Sequence, residues 1–148
     1  MEPQKTRTAD VLIRIARANE IPSISAVYAD WGYGPGAAPE DTVWLAEALD
    51  RLIGIVRVAP EHGALVLRGM RVAEEWRRAG IGARMLQSVA LWLEDRECYC
   101  IPYAHLTAFY GRAGFVEIAP PDAPPFLSAR WAAYRQRPLD VVIMVRPA

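Results

Sequence analysis

The chain has 148 residues, of which 53% are hydrophobic, and this size and composition suit one domain with a single core. Lysine and arginine together number 17, as do aspartate and glutamate, so charge gives no case for binding nucleic acid or an anionic membrane. The first ten residues, MEPQKTRTAD, lack a signal-peptide pattern, and no apolar stretch approaches the roughly 18 residues of a membrane span. We therefore expect a cytoplasmic protein.

The first half of the chain predicts four strands and one helix. Pro22 suits a first helical turn, and the apolar residues that then share one helical face are Ile24, Val27, Tyr28 and Trp31. Tight turns at Asp50 and over residues 60–63 divide β-branched, apolar runs, which predicts hairpins. The predicted strands cover residues 11–18, 42–49, 51–58 and 64–72.

The second half predicts three helices and three short strands. A helix to about Arg96 is indicated by apolar residues at helical spacing: Ile81, Met85, Leu86, Val89 and Leu93. Prolines over 120–125 predict an extended loop, after which Ser128 is the expected cap of the last helix. The remaining predicted elements are strands over 98–101, 115–118 and 141–145 and helices over 105–112 and 128–136.

The two cysteines, Cys98 and Cys100, lie two residues apart on a predicted strand and so share one face. A disulfide between them would be strained. No second Cys or His pair stands at metal-ligand spacing, so we expect buried thiols and no metal site.

The segment Arg77-Arg78-Ala79-Gly80-Ile81-Gly82 joins the fourth predicted strand to a helix. Its glycines allow a ligand to approach the backbone, while the free N–H groups and positive dipole end of the helix favour an anion. Neither G-x-G-x-x-G nor a Gly-Lys-Ser/Thr ending is present, which excludes the dinucleotide fingerprint and the Walker A loop. An ordinary glycine-containing turn is the alternative interpretation.

This segment resembles the acetyl-CoA pyrophosphate loop of the GNAT superfamily of N-acetyltransferases, Arg/Gln-x-x-Gly-x-Gly/Ala after the fourth strand. Arg77, Gly80 and Gly82 fill its three positions. Downstream, residues 109–115 (FYGRAGF) resemble the family's Tyr-x-x-x-Gly-Phe ending of a later helix. The order of predicted elements is similar to the GNAT fold over nearly the whole chain.

The resemblance implies an α/β (α+β) fold: a mixed, mostly antiparallel sheet of about seven strands, with strands four and five splayed and about four flanking helices. Residues 1–148 would form a single domain. Its co-substrate would be acetyl-CoA, whose acetyl group is transferred directly, in a ternary complex, to a primary amine of a small molecule or peptide. The implied cofactor-binding residues are Met70, Arg71, Val72, Arg77, Arg78, Ala79, Gly80, Ile81, Gly82 and Ala83.

The same resemblance suggests catalytic roles. Tyr110 occupies the position of the acid that protonates the departing thiolate, and the alternative is that it is an aromatic side chain packed in the core. The backbone N–H of Val72 is expected to bind the oxyanion. Many family members carry a glutamate on strand four, but residues 65–70 contain none. Glu47 and His105 are the substitute bases, acting directly or through water; a solvated strand face and a helix-start histidine are their structural alternatives.

In the family, the loop after the first helix forms a wall of the acceptor pocket. Three aromatic residues stand near that loop here and suggest an acceptor with an apolar part, unless their side chains belong to the core: Trp31, Tyr33 and Trp44. Four acidic residues in that region would attract an ammonium acceptor, unless they are simply solvated surface charges: Asp30, Glu40, Asp41 and Glu47. The loop over 120–125, with Phe126, is either the opposite pocket wall or an interface of a homodimer. Tyr103 stands where the family often has a pantetheine-binding asparagine.

The rival function is a catalytically silent acyl-CoA-binding or sensor module of the same fold.

Overall fold

A computed structural model describes residues 10–148, and the segment assessed above for a signal pattern lies almost wholly outside them. Seven strands form one open sheet in the order β1-β2-β3-β4-β5-β7-β6. The strands are β1 (Leu12–Ile15), β2 (Thr42–Ala48), β3 (Arg51–Glu61), β4 (Ala64–Val72), β5 (Cys98–Cys100), β6 (Val116–Ile118) and β7 (Ile143–Arg146). The helices are α1 (Ile21–Asp30), α2 (Ile81–Leu93), α3 (Thr107–Gly111) and α4 (Pro125–Gln136).

Strand pairing confirms the predicted fold class. The β4–β5 pair is parallel, whereas β1–β2, β2–β3, β5–β7 and β6–β7 are antiparallel. The β4–β5 register places Val66 opposite Tyr99, and β5 ends one residue later, at Cys100, while β4 continues to Val72. The sheet is thus mixed, as expected.

Chain contacts divide the described residues into two compact units. The first comprises residues 10–59 and 69–89. Its core packs the apolar face of α1 on β2 and β3, through Ile24, Tyr28, Val43, Leu45 and Ile55. Ile24 and Tyr28 belong to the predicted helical face, so periodicity correctly identified the buried side of α1.

The second unit comprises residues 60–68 and 90–148. Its core joins β4, β7 and α4 through four buried residues, Val66, Ala123, Leu127 and Ile143. The central strand of this unit is β7, which pairs with β5 on one side and β6 on the other.

Both predicted hairpin turns are present, and both use left-handed residues. Leu49 and Asp50 have φ of 54° and 58°, and His62 and Gly63 have φ of 50° and 79°. Two consecutive positive φ values are typical of the type I′ turn, whose twist matches that of the flanking strands. The second turn is tighter than predicted, because β3 extends through Pro60 to Glu61.

Three predicted boundaries are wrong. Ser128 does not cap α4, because the helix already begins at Pro125. A proline is tolerated there, since its missing N–H would have no acceptor in a first helical turn. The Ser128 hydroxyl instead donates to the Pro120 carbonyl at 2.5 Å. Residues 120–122 form a 3-10 turn instead of an extended loop. Helix α2 ends at Leu93, short of Arg96, because Glu94 adopts a left-handed φ of 56°.

Other ends shift by a few residues. The first strand stops at Ile15, and Ala18–Glu20 form a 3-10 turn; residues 104–106 are also 3-10, so α3 starts at Thr107. The last strand begins at Ile143. Among residues 10–148, no helix is long and apolar enough to cross a membrane.

Cys98 and Cys100 are free thiols and both are buried. Burial raises the pKa of Cys98 to about 12 and the pKa of Cys100 well above its usual value. Within the described part of the chain, no group of three or more His, Cys, Asp or Glu side chains could hold a metal ion.

Candidate active site

The predicted phosphate loop lies in the first unit, between the end of β4 and the start of α2. The Arg84 N–H donates to the Gly80 carbonyl at 3.1 Å, which makes this the first hydrogen bond of the helix. The N–H groups of Ile81, Gly82 and Ala83 therefore belong to the helix turn that has no intrahelical acceptors. Such a helix end provides donors and a positive dipole for an anion.

The loop backbone is open to a ligand at Gly80. Gly80 has a φ of 79°, a left-handed conformation that glycine adopts at no steric cost, and a Cβ built there would meet no atom within 4 Å. Arg78 is also left-handed, with φ of 66°. The exposed Arg77 donates from Nε to the Val72 carbonyl at 3.0 Å, which fixes its guanidinium beside the end of β4. These donors and charges fit a diphosphate.

Gly69 puts a kink into β4 that sequence reasoning missed. Its φ of +68° is left-handed, which in a strand is the geometry of a glycine bulge and redirects the residues that follow, Met70 to Val72. The Tyr28 hydroxyl donates to the Gly69 carbonyl at 2.7 Å. A Cβ at Gly69 would lie only 2.5 Å from that hydroxyl oxygen. The signal that could have revealed this feature is a glycine inside a strand pattern.

A buried ion pair between Arg57 and Asp41 lies close to Tyr28. Arg57 Nη1 is 3.1 Å from Asp41 Oδ2, and the two side chains are 3% and 2% exposed. Arg57 Nε and Nη2 are buried without a hydrogen-bond acceptor among the described residues. Burial raises the pKa of Tyr28, and the nearby positive charge of Arg57 partly opposes that shift.

The predicted acceptor aromatics occupy different environments. Tyr33 is half-buried, with its ring 4.8 Å from that of Tyr28 and the Arg71 guanidinium carbon 4.6 Å from its centroid. Trp31 is also half-buried and packs against the core of the first unit. Trp44 is 2% exposed, so its ring is a core side chain in this structure.

Glu47, a predicted base, is engaged by an arginine. Arg14 Nε donates to Glu47 Oε1 at 2.8 Å, and the same guanidinium pairs with Glu20 at 2.6 Å. Since Asp41 is likewise paired, two of the four acidic residues expected to attract an ammonium group are already neutralised by arginines. The electrostatic basis of that expectation is therefore weaker than the sequence indicated.

The tyrosine motif lies in the second unit. Tyr110, on α3, is 7% exposed and meets Phe109 and Phe115 edge-on, with centroids 5.0 Å and 6.1 Å away. Its carbonyl accepts hydrogen bonds from the N–H groups of Ala113 and Phe115, which closes the turn around Gly114. His105 is exposed and stacks on Tyr103 at 5.8 Å.

The second unit also contains an open cavity of about 740 Å³. The proline-rich segment forms one wall, through Pro124, Pro125 and Phe126, and the Phe126 ring lies 4.6 Å from that of His62. The other lining residues are Gly63, Ala64, Leu65, Arg96, Glu97 and Tyr99. The loop over residues 120–125, with Phe126, was predicted to be a wall of the acceptor pocket or a subunit interface, and both remain predictions; Pro124, Pro125 and Phe126 line this cavity of the second unit.

Solved structures with the same fold include several acetyltransferases. N-acetylglutamate synthase from Neisseria gonorrhoeae, complexed with coenzyme A and N-acetyl-glutamate, is 19% identical with a TM-score of 0.63, over 92% of this chain and 34% of that one. Rv2747 from Mycobacterium tuberculosis, in complex with CoA and NLQ, is 18% identical with a TM-score of 0.65, over 93% and 99%. Escherichia coli ElaA is 15% identical with a TM-score of 0.63, over 92% and 99%.

The chain thus spans about a third of the length of the N-acetylglutamate synthase that it matches. No curated protein matches it in sequence. The family model for the acetyltransferase (GNAT) domain, however, matches residues 39–117, more than half of the chain and including the whole phosphate loop. The chain belongs to the GNAT acetyltransferases, a family that uses acetyl-CoA and no metal.

Proposed function

We propose that this protein is an N-acetyltransferase that transfers the acetyl group of acetyl-CoA directly to a primary amine of a small molecule or peptide. The observation that carries this proposal is the open N-terminus of α2, where left-handed Gly80 leaves the backbone accessible beside Arg77. The family model covers the same residues. We further expect a cytoplasmic protein, a single functional domain over residues 1–148 and no nucleic acid or membrane partner, with a homodimer as one possible assembly.

The chain binds the diphosphate of acetyl-CoA at the phosphate loop. The N–H groups of Ile81, Gly82 and Ala83 donate to phosphate oxygens, and Arg77 and Arg78 neutralise their charge. The β4 backbone from Met70 to Val72, redirected by the kink at Gly69, provides hydrogen-bonding groups for the pantetheine arm. Acetyl-CoA supplies the activated acetyl group.

Two groups of the chain stabilise charge as the amine attacks the thioester. The Val72 N–H binds the developing oxyanion, so side-chain changes at Val72 have little effect on the rate. Tyr110 donates its phenolic proton to the departing thiolate, since a phenol and a thiol have comparable basicity. The family motif gives Tyr110 this role.

The base is either Glu47 or His105, acting directly or through water. The Glu47 carboxylate accepts a hydrogen bond from Arg14 Nε at 2.8 Å, so it is already engaged by a partner. His105 is exposed and stacks on Tyr103. Glu47→Gln and His105→Gln are compared by the pH dependence of kcat/KM: loss of the acidic limb in one variant identifies the base.

One solved structure with this fold contains an N-acetylated compound. The Neisseria gonorrhoeae structure is described as a complex with N-acetyl-glutamate, a compound with an acetylated nitrogen. At 19% identity this likeness shows the fold, so the acceptor of the present chain is a separate question, addressed below.

A catalytically silent acyl-CoA-binding module is the second candidate function. Strand β4 has no glutamate, and the Glu47 carboxylate is paired with Arg14, so a free carboxylate base is lacking at both positions. This rival retains the phosphate loop but predicts no chemistry.

Calorimetric titration with acetyl-CoA, run beside a thiol-release assay over amino acids, polyamines, aminoglycosides and peptides, distinguishes the two functions. The enzyme proposal predicts binding together with saturable thiol release for at least one amine. Binding without release across the panel favours the silent module. Failure of acetyl-CoA to bind removes both.

A further inference from the structure

Two guanidinium groups gather around two tyrosines in the first unit. Tyr28 and Tyr33 are in ring contact at 4.8 Å, and Arg71 covers the Tyr33 ring at 4.6 Å. Arg57 lies buried close enough to Tyr28 to lower the pKa of its hydroxyl against the effect of burial. We call these four residues the arginine–tyrosine cluster.

The cluster carries more positive charge than its neighbours compensate. Asp41 neutralises Arg57, but among residues 10–148 no carboxylate oxygen lies within 4 Å of the Arg71 guanidinium. Among residues 10–148, the Arg71 side chain makes one hydrogen bond, from Nη1 to the Met70 carbonyl at 3.0 Å. Arg57 is 2% exposed, so it contributes charge from the interior and no donor that an incoming ligand could reach. The uncompensated charge of Arg71 therefore favours an anion at this cluster.

The position of Arg71 relates this charge to the reaction. Arg71 stands in β4 between Met70 and Val72, whose backbone is proposed above to hold the acetyl thioester. Arg71 is half-buried, so part of its side chain is open to solvent. A molecule whose amine approaches this segment of β4 brings its other polar groups near the Arg71 guanidinium.

We propose that the acceptor is an amino acid or other amino-carboxylic acid, and that Arg71 binds its carboxylate. This inference rests on the proposed function. A planar guanidinium matches a carboxylate through paired hydrogen bonds, and the contact with the Tyr33 ring at 4.6 Å restricts where the guanidinium lies. The half-buried rings of Trp31 and Tyr33 contribute apolar surface. Polyamines, which lack an anionic group, are disfavoured by the same positive charge.

The test measures binding, so that it does not depend on turnover. The wild-type protein, saturated with coenzyme A, is titrated by calorimetry with N-acetyl amino acids and with the matching N-acetyl amino acid amides. We expect at least one carboxylate to bind at least tenfold more tightly than its amide. In Arg71→Gln that preference disappears, whereas Arg71→Lys retains part of it.

Arg51→Gln is the matched control, because Arg51 lies in the same unit but is two-thirds exposed and paired with Glu75. It should keep the full preference. Cooperative urea unfolding of Arg71→Gln verifies that the variant is folded.

Equal binding of carboxylate and amide in every pair overturns this inference, and so does an undiminished preference in Arg71→Gln. Either result, with coenzyme A still bound, leaves the acetyltransferase proposal standing. If coenzyme A does not bind, the proposed function fails, and the same pairs titrated without it still decide whether the cluster selects carboxylates.

Discussion

Replacing Gly69 with alanine tests the kink in β4, because the structure assigns two separate penalties to that change. Alanine at φ of +68° adopts a left-handed conformation, which costs about 1–2 kcal/mol. The new Cβ would also lie 2.5 Å from the Tyr28 hydroxyl oxygen, and such overpacking costs about 1–3 kcal/mol. Together, Gly69→Ala should lower the free energy of unfolding by roughly 2–5 kcal/mol.

Gly63→Ala is the control for backbone strain alone. Gly63 has a φ of +79°, and a Cβ there meets nothing within 4 Å, so only the conformational penalty of about 1–2 kcal/mol applies. Tyr28→Phe supplies the second control, since it removes the hydroxyl oxygen and leaves the ring carbon at 3.0 Å. The double variant Gly69→Ala/Tyr28→Phe should lose at least about 1 kcal/mol less unfolding free energy than the sum of the losses in the two single variants.

The assay is urea unfolding followed by tryptophan fluorescence, with m-values compared to verify two-state behaviour. Acetyl-CoA affinity is measured on the same variants, and Gly69→Ala should weaken it while Gly63→Ala should not. The reasoning is refuted if Gly69→Ala and Gly63→Ala are equally destabilising, or if Tyr28→Phe relieves none of the additional loss.

Three further predictions concern other parts of the chain. Hydrogen bonding by Arg14 lowers the pKa of the Glu20 carboxyl to about 2, so the stabilisation that Glu20 provides is present above pH 4.5 and is lost as the pH falls toward 2. In Glu20→Gln, the acid-induced loss of unfolding free energy should therefore be smaller by about 1 kcal/mol than in the wild type. A pH profile of stability unchanged from the wild type contradicts this. The raised pKa values of Cys98 and Cys100 predict slow labelling by a thiol reagent at pH 8 and rapid labelling in urea. Fast labelling of the native protein would contradict the assignment of both residues as buried, protonated thiols. Tyr110→Phe should lower kcat about 100-fold or more and change acetyl-CoA affinity less than twofold, whereas the control Tyr134→Phe, on α4, should change neither. Equal turnover of Tyr110→Phe and the wild type at all pH values removes the acid role.

Features set by a few consecutive residues were predictable from the sequence. The β4 boundaries, Ala64 and Val72, match the prediction because turn residues and the loop motif delimit an apolar run on both sides. All five apolar residues expected on the inner face of α2 are buried: Ile81, Met85, Leu86, Val89 and Leu93. Local chemistry and helical period were sufficient for these elements.

Features that depend on distant residues were not predictable. The pairing of Arg57 with Asp41 joins positions 16 residues apart, and the contact of Tyr28 with Gly69 joins positions 41 residues apart. Nothing in the sequence near Glu47 shows that Arg14 of the neighbouring strand would engage it. The end of α2 was missed because a glutamate, Glu94, adopts the left-handed conformation that usually marks glycine.

The central claim is that the loop from Arg77 to Gly82 binds acetyl-CoA, and calorimetric titration of three proteins tests it most directly. The account predicts saturable binding at one site per chain for the wild type, at least tenfold weaker binding for Arg77→Glu, and wild-type affinity for Arg51→Glu, an exposed arginine of the same unit. A wild-type protein that does not bind acetyl-CoA, or equal affinities for the two charge-reversal variants, would contradict the account.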